Sequence, residues 1–504
     1  MARSRFGQDG GFVMLSAMAL LVVAIHTLTN GQYGFHRDEL ATLDDARRLA
    51  WGYVAYPPLT PFIARIGLEL FGPAAAGIRL FAALAQALAL ILAGLMAREV
   101  GGGRWAQVVA GAAVAIAPVS VSAGFLFQYV SFDYLWWVAL AYCLVRLLKS
   151  EDPRWWLALG AVAGLALQTK YTIVFLLTGL LAGLLLTPAR RYLRSAWFWA
   201  GLGVALLIWS PNLRWQVQHD YIYLPFIRHI HERDVRIGRT DTFLIGQFLI
   251  TASVFTVPLW IAGLRFYFVS DEGKRYRALG WMFIVTFLIF YAAKGRDYYM
   301  APAYPMLLAG GAVVADRWIA RLEPRRAFGM RTLTASALAV GAVLAVVLIL
   351  PVSPVNSRWW RAMDSWNDSF REQIGWQDLT RTVAAVRDKL PAEDRQRLGI
   401  LAGNYGEAGA IDLYGSAYGL PQAISGIDSY WEHGYGNPPP ETLIVVGLSR
   451  KFLERQFESC ELVAHNTSSY GVLNEETKDH PDIFVCRRLR EPWPEFWKKF
   501  QYFG

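Results

Sequence analysis

Charge is scarce in this sequence: Asp, Glu, Lys and Arg make up 18% of 504 residues, and only three residues are cysteine. So few cysteines argue against a multi-disulfide framework or a cysteine-rich zinc cluster. No G-x-x-x-x-G-K-[ST] segment occurs, and the GGGR at 101–104 is a turn between apolar runs, not a phosphate cradle. An HExxH zinc pair and a G-x-S-x-G nucleophile elbow are missing too. His229, His231 and Glu232 lie close together in FIRHIHERD, but alternation in a polar loop is a weak metal signature. Internal repeats are not evident. The net charge is +9, yet no polar stretch carries a basic stripe with interleaved aromatics, which argues against a nucleic-acid partner.

What the chain has instead is 55% hydrophobic residues and 14% aromatics, the composition of a membrane protein with interfacial Trp and Tyr. Apolar runs at 11–29, 76–97, 105–123, 126–148, 155–169, 171–188, 196–212, 243–265, 278–293, 299–315 and 332–350 predict about eleven spans. Arg3 and Arg5 precede the first, and no Ala-x-Ala cleavage site lies between that run and Gly34, so it reads as an uncleaved span. With the N-terminus cytoplasmic, the clusters Arg98/Arg104, Arg146/Lys149/Arg154, Arg190/Arg191/Arg194, Arg265–Arg277 and Arg317–Arg331 all fall on the cytoplasmic side. The opposite side receives 30–75, 213–242, 294–298 and everything after about 351. This predicts a transmembrane domain, 1–350, with a first outer loop at 30–75, and a non-cytoplasmic domain, 351–504.

The last 150 or so residues are polar. A helix is expected from Trp376 to Leu390, with Leu379, Val383 and Val386 on one face and Pro391 as its stop. LGILAG, TLIVVGL and DIFVCRR read as strands, giving a small α/β domain. Cys460 and Cys486 flank candidate strands in a compartment that permits oxidation, and a disulfide between them is expected; Cys143 lies in a span.

The outer loop GFHRDELATLDDARRLAWGYVAYPPLTP, 34–61, is dense in charge. Leu40, Leu43, Ala46, Leu49 and Ala50 follow a helical spacing that suits a surface helix lying along the membrane, with Asp38 as its N-cap and Glu39 favoured by the helix dipole. Pro57 and Pro58 turn the chain into a second helix at 59–71. On the same face stand Asp133 in QYVSFDYLWW, Lys170 in LQTKYT, and Lys294, Arg296 and Asp297 in AAKGRDYYMAPAYP. Acids and bases at one membrane depth suit an anionic, membrane-held substrate. Cations hold a phosphate leaving group, and a carboxylate takes a proton from the incoming nucleophile. A lipid transporter or flippase would also place charge there, but it should show repeat symmetry in matched halves, and none is visible.

FHRDEL, PPLTP, FDYLWW, TKYT, PNLRWQ at 211–216, KGRDYYMAPAYP and GNYGEAGAIDLYG at 403–415 occur in order along nearly the whole chain. The ordered set resembles the GT-C class of polyprenyl-phosphate-sugar-dependent glycosyltransferases, which includes protein O-mannosyltransferases and lipid A aminoarabinose transferases. The resemblance implies an α-helical polytopic fold with a periplasmic C-terminal domain, in a bacterial inner membrane. It implies Asp38 as general base, with Glu39, the second acid of the pair, also catalytic, and Asp133 placing acceptor or base. It also implies Lys170, Lys294, Arg296 and Tyr298 at the donor phosphate. His36, Glu407 and Tyr430 are expected at the acceptor or sugar. No cofactor is required, although a divalent cation is compatible. The implied partners are a polyprenyl-phosphate-linked sugar, membrane lipid, and a glycolipid, polysaccharide or protein acceptor. One departure stands out: aminoarabinose transferases carry an acid and a lysine just before the double proline, where this chain has Ala55 and Tyr56. That argues against their substrate and favours a metal-independent inverting transfer.

Overall fold

The structure, a computed structural model, describes residues 6–504; Arg3 and Arg5 lie outside the described residues. Its contacts gather the chain into two compact units. Unit one comprises residues up to Asn30, Arg79–His219 and His231–Leu350; unit two comprises Gly31–Ile78, Asp220–Ile230 and Pro351–Gly504. By compactness, then, the first outer loop groups with the C-terminal residues and not with the spans on either side of it.

Unit one is helical, and each of the eleven apolar stretches contains helix. Among the described residues five helices are long and apolar enough to cross a membrane: Gly10–Thr29, Ala75–Glu99, Tyr129–Ser150, Ala196–Gln218 and Pro324–Ile349. Three more stretches are helix pairs bent by 65°, 109° and 86°, which makes eight if each pair is one span. The first two bends sit at prolines. Pro118 and Pro188 each open a new helix, and the residue before each is extended, as the proline ring demands. The third falls at Ser253, whose φ of 71° is left-handed. Trp155–Leu167, Arg277–Ala292 and Tyr304–Ile319 have 13, 16 and 16 residues, short of the roughly 20 that span a bilayer unaided. Close approach of backbones supports such short helices. A β-carbon on Gly160 would lie 2.0 Å from the Gly201 carbonyl oxygen, so Trp155–Leu167 and Ala196–Gln218 touch main chain to main chain.

Unit two holds a five-stranded sheet of order β2-β1-β3-β5-β4. The strands are β1 Leu398–Ala402, β2 Ala423–Ile424, β3 Thr442–Val446, β4 Phe457–His465 and β5 Asp482–Leu489. Strands β2, β1 and β3 run parallel, and β5 is antiparallel to both β3 and β4. LGILA and TLIVV are buried almost throughout, as central strands covered on both faces must be. The expected helix runs Trp376–Lys389, with Leu379, Val383 and Val386 buried. The core joins Leu443, Val445, Phe457, Phe484, Phe496 and Phe500. Cys460 and Cys486 are register partners on β4 and β5 and are disulfide-bonded, while Cys143 is a buried free thiol in unit one.

The thiol state is directly measurable. Protein denatured without reductant is expected to take up one maleimide, on Cys143, and protein reduced first is expected to take up three, read by intact mass. Three maleimides on protein that was never reduced would refute the bond.

Candidate active site

The outer-loop helix, Arg37–Arg47, begins with a reciprocal cap. The His36 ring accepts a hydrogen bond from the Asp38 amide at 3.2 Å, and the Glu39 carboxylate accepts one from the His36 amide at 2.8 Å. The N-cap is therefore His36, not Asp38. Glu39 is fully buried, and its carboxylate closes the helix start. Asp38 occupies the first turn, where the helix dipole favours an anion. Its side chain is 42% exposed. The Tyr405 hydroxyl donates to Oδ1 at 3.0 Å, Arg37 Nε lies 4.0 Å from Oδ1, and His36 Nδ1 lies 3.7 Å from Oδ2.

The apolar face of this helix does not lie along a membrane. Leu40, Leu43 and Ala46 are buried, and Leu40 packs on Gly409 of the Tyr405–Tyr414 helix, where a β-carbon would come within 2.8 Å of it. Acids on the buried side are paired in turn. Tyr56 donates to Asp45 at 2.5 Å, which ties the double-proline turn back to the helix. Arg48 bonds Asp44 at 2.7 Å and Asp412 at 3.2 Å, and meets His433 at 2.5 Å. Burial pushes Asp45 up to about 8 despite the Tyr56 hydrogen bond, and holds His433 down to about 3, with Arg48 adding to the effect.

Two residues expected at a sugar are enclosed. Glu407 caps its own helix, accepting from the Asn404 amide at 3.2 Å, and is packed so tightly on Gly447 that a β-carbon there would meet its oxygen at 1.9 Å. Burial pushes it up to about 8. Tyr430 is 3% exposed, and among the described residues its buried hydroxyl has no hydrogen-bond partner.

Unit one brings another set together. Asp133, on the Tyr129–Ser150 helix, is buried; it accepts from Trp137 Nε1 at 3.0 Å and from Thr172 Oγ1 at 3.2 Å. Lys170, in the turn between Trp155–Leu167 and Ile173–Leu185, is 8% exposed and feels the Asp133 charge. Its ammonium lies 4.1 Å from the Tyr299 ring centre, 5.0 Å from Tyr129 and 5.9 Å from Tyr298. Among the described residues no group accepts a hydrogen bond from it. The rings stabilise the cation and leave its three donors for an anion. Arg296 is engaged, bonding Asp234 at 2.6 Å and the Tyr298 hydroxyl at 3.1 Å. Lys294 is exposed, with a left-handed φ of 48° at the end of the Arg277–Ala292 helix. Sequence reasoning did not single out Asp234, Tyr129, Tyr299 or Thr172, although each lies inside a quoted stretch: FIRHIHERD, QYVSFDYLWW, KGRDYYMAPAYP and TKYT. Among the described residues, no three His, Cys, Asp or Glu side chains are gathered to hold a metal ion.

Residues 55–215 match a family described as dolichyl-phosphate-mannose-protein mannosyltransferase. The fold is similar to that of ArnT from Cupriavidus metallidurans in the apo state, with a TM-score of 0.58 at 16% identity over 95% of this chain and 98% of that one. The same protein bound to undecaprenyl phosphate gives 0.52 at 17% identity over 94% and 97%. The Archaeoglobus fulgidus oligosaccharyltransferase, in complex with Zn and sulfate, gives 0.55 at 13% identity over 86% of this chain and 68% of that one. No curated protein sequence matches the chain.

The buried carboxyls of unit two set a pH dependence. Burial raises Asp45 and Glu407 to about 8 and Glu372 to about 7. Folding thus tightens their hold on protons, and the stability they contribute is present at low pH and lost as pH rises through those values. His433, lowered to about 3, works in the opposite direction, but only below its ordinary value of 6.5. The thermal midpoint is therefore expected to fall between pH 6.5 and pH 9, with a shallower slope in Asp45→Asn. Scanning calorimetry that found the midpoint rising across that window would refute the assignment.

Proposed function

We propose that this GT-C-fold membrane protein is a glycosyltransferase that moves a sugar from a polyprenyl-phosphate donor to an acceptor outside the bacterial cytoplasmic membrane, inverting the anomeric carbon. The observation that carries the reading is the Lys170 ammonium: buried in the membrane unit, ringed by tyrosines, and with no acceptor for its hydrogen bonds among the described residues. A cation kept in that state suits a phosphate. The similarity to a structure bound to undecaprenyl phosphate supports a lipid phosphate as donor.

The residues divide into roles. Asp38 takes the proton from an acceptor hydroxyl or amine. That nucleophile forms its bond to the anomeric carbon as the carbon–oxygen bond to phosphate breaks, and polyprenyl phosphate leaves with the electron pair. Lys170 neutralises the charge that develops on the leaving oxygen, and Asp133, through Thr172 and Trp137, keeps the local charge and geometry fixed. Lys294 supplies a second cation from an exposed position. Arg296, engaged by Asp234, orients the Tyr298 hydroxyl toward the same phosphate. Tyr56 stands where aminoarabinose transferases have a lysine and bonds Asp45, so it brings no cation to the phosphate. Glycolipid, polysaccharide and protein acceptors all supply the required nucleophile. In this reading the N-terminus is cytoplasmic and unit two is periplasmic.

The test uses cells deleted for the native copy that express wild type or Asp38→Asn at equal, folded abundance. Envelope glycolipids and polyprenyl-phosphate sugars are compared by mass spectrometry. The mutant is expected to lose one sugar from an acceptor and to accumulate the lipid-linked donor. An unchanged profile would remove Asp38 as the base. Lys170→Met is expected to give the same loss with the Cys460–Cys486 unit intact, through weaker donor binding.

A further inference from the structure

We propose that Tyr405 is a positioning residue for the Asp38 carboxylate, so that the C-terminal part of unit two takes part in the transfer without touching substrate. The inference rests on the reading of Asp38 as the base.

Three observations carry it. First, the Tyr405 hydroxyl donates to Asp38 Oδ1 at 3.0 Å across 367 residues of sequence. Burial and the Asp38 charge hold the phenol well above its usual range, so it keeps its proton and acts as a donor to the carboxylate. Second, the backbone that presents this phenol is pinned. Tyr405 opens its helix directly after Asn404, which accepts from the Gly406 amide at 2.8 Å while Glu407 accepts from the Asn404 amide. Gly406 lets the Arg37 side chain approach to a distance, 2.8 Å from where a β-carbon would stand, that no other residue type allows. Third, the neighbouring residue of the loop is gripped from another element: Arg37 is paired with Glu475 and, at 3.3 Å, with Glu476 of the Glu475–Asp479 helix. Two successive side chains, Arg37 and Asp38, are thus held by two separate segments of the last hundred residues.

An aspartate side chain has two soft torsions, and a general base must meet its proton within about 3 Å. One donor on Oδ1 fixes the carboxyl plane while the side chain stays 42% exposed to an incoming acceptor. A hydrogen bond to a charged group, removed, corresponds to roughly a ten- to hundredfold change in rate.

The experiment measures transfer in membranes from the deleted strain, with endogenous donor and acceptor and mass-spectrometric detection of product, for full-length wild type, Asp38→Asn, Tyr405→Phe and the double variant. Phenylalanine keeps the ring packing. Tyr405→Phe is expected to lower the maximal rate about tenfold or more with the donor concentration at half-maximal rate unchanged, and to add less than twofold to the loss in Asp38→Asn. A wild-type rate in Tyr405→Phe, or a rise in half-maximal donor concentration with no fall in maximal rate, would overturn the positioning role. Equal slowing on both backgrounds would also overturn it, by showing a structural effect only. Should Asp38→Asn fall below detection, the split between maximal rate and half-maximal concentration decides. Failure of the underlying reading shows separately, as a wild-type rate in Asp38→Asn.

Discussion

The face of unit two that carries Asp38 depends on one packing contact, Leu40 of the outer-loop helix against Gly409. An amphipathic segment of eleven residues has little reason to be helical alone, because nucleation is costly and most helical stability in proteins comes from packing of the apolar face. Here that face is covered by the Tyr405–Tyr414 helix, whose run of small residues, Gly406, Ala408, Gly409 and Ala410, lets two backbones come close. Once the helices are seated, the first turn of one stands beside the first residue of the other, and the Tyr405 phenol reaches Asp38.

The polar groups around that contact make it specific. Asp44 and Asp412 approach one another and share Arg48, and Asp45 is satisfied by Tyr56. Burying such groups is expensive unless each finds its partner, so a helix shifted by one turn would leave several carboxyls unpaired. Hydrophobic burial supplies the attraction, and the buried acids and their partners set the register.

Some of this was legible in the sequence, for physical reasons that differ by element. Long apolar runs show themselves, and so do the central strands LGILA and TLIVV, because burial on both faces leaves Thr442 as the one polar residue in them. Strand β4 was missed because it lies at the sheet edge, and its sequence, FESCELVAH, is largely exposed and shows no regular polar–apolar alternation. The charged outer loop stood out by contrast with its apolar flanks, and Asp38 with it. Its N-cap did not, since histidine is an unusual cap, and the reciprocal bond between the His36 amide and Glu39 could not be read without it. The membrane-surface reading of Leu40, Leu43 and Ala46 failed because an apolar stripe reports that something covers it, not what. Lys170 was visible as a charge in an apolar setting, but its ring of tyrosines comes from segments at 129 and 298–299 that only folding gathers.

The separation of 367 residues between Asp38 and Tyr405 has a consequence in time. At roughly 5–20 residues per second, synthesis of the intervening chain takes on the order of half a minute. Throughout that interval the outer-loop helix is already made while the segment that covers Leu40 does not yet exist. A chain released early therefore carries the carboxylate but nothing to orient it, and shows an uncovered apolar stripe to proteases and chaperones. Completion of the polypeptide, more than insertion of its spans, is the event that readies the loop.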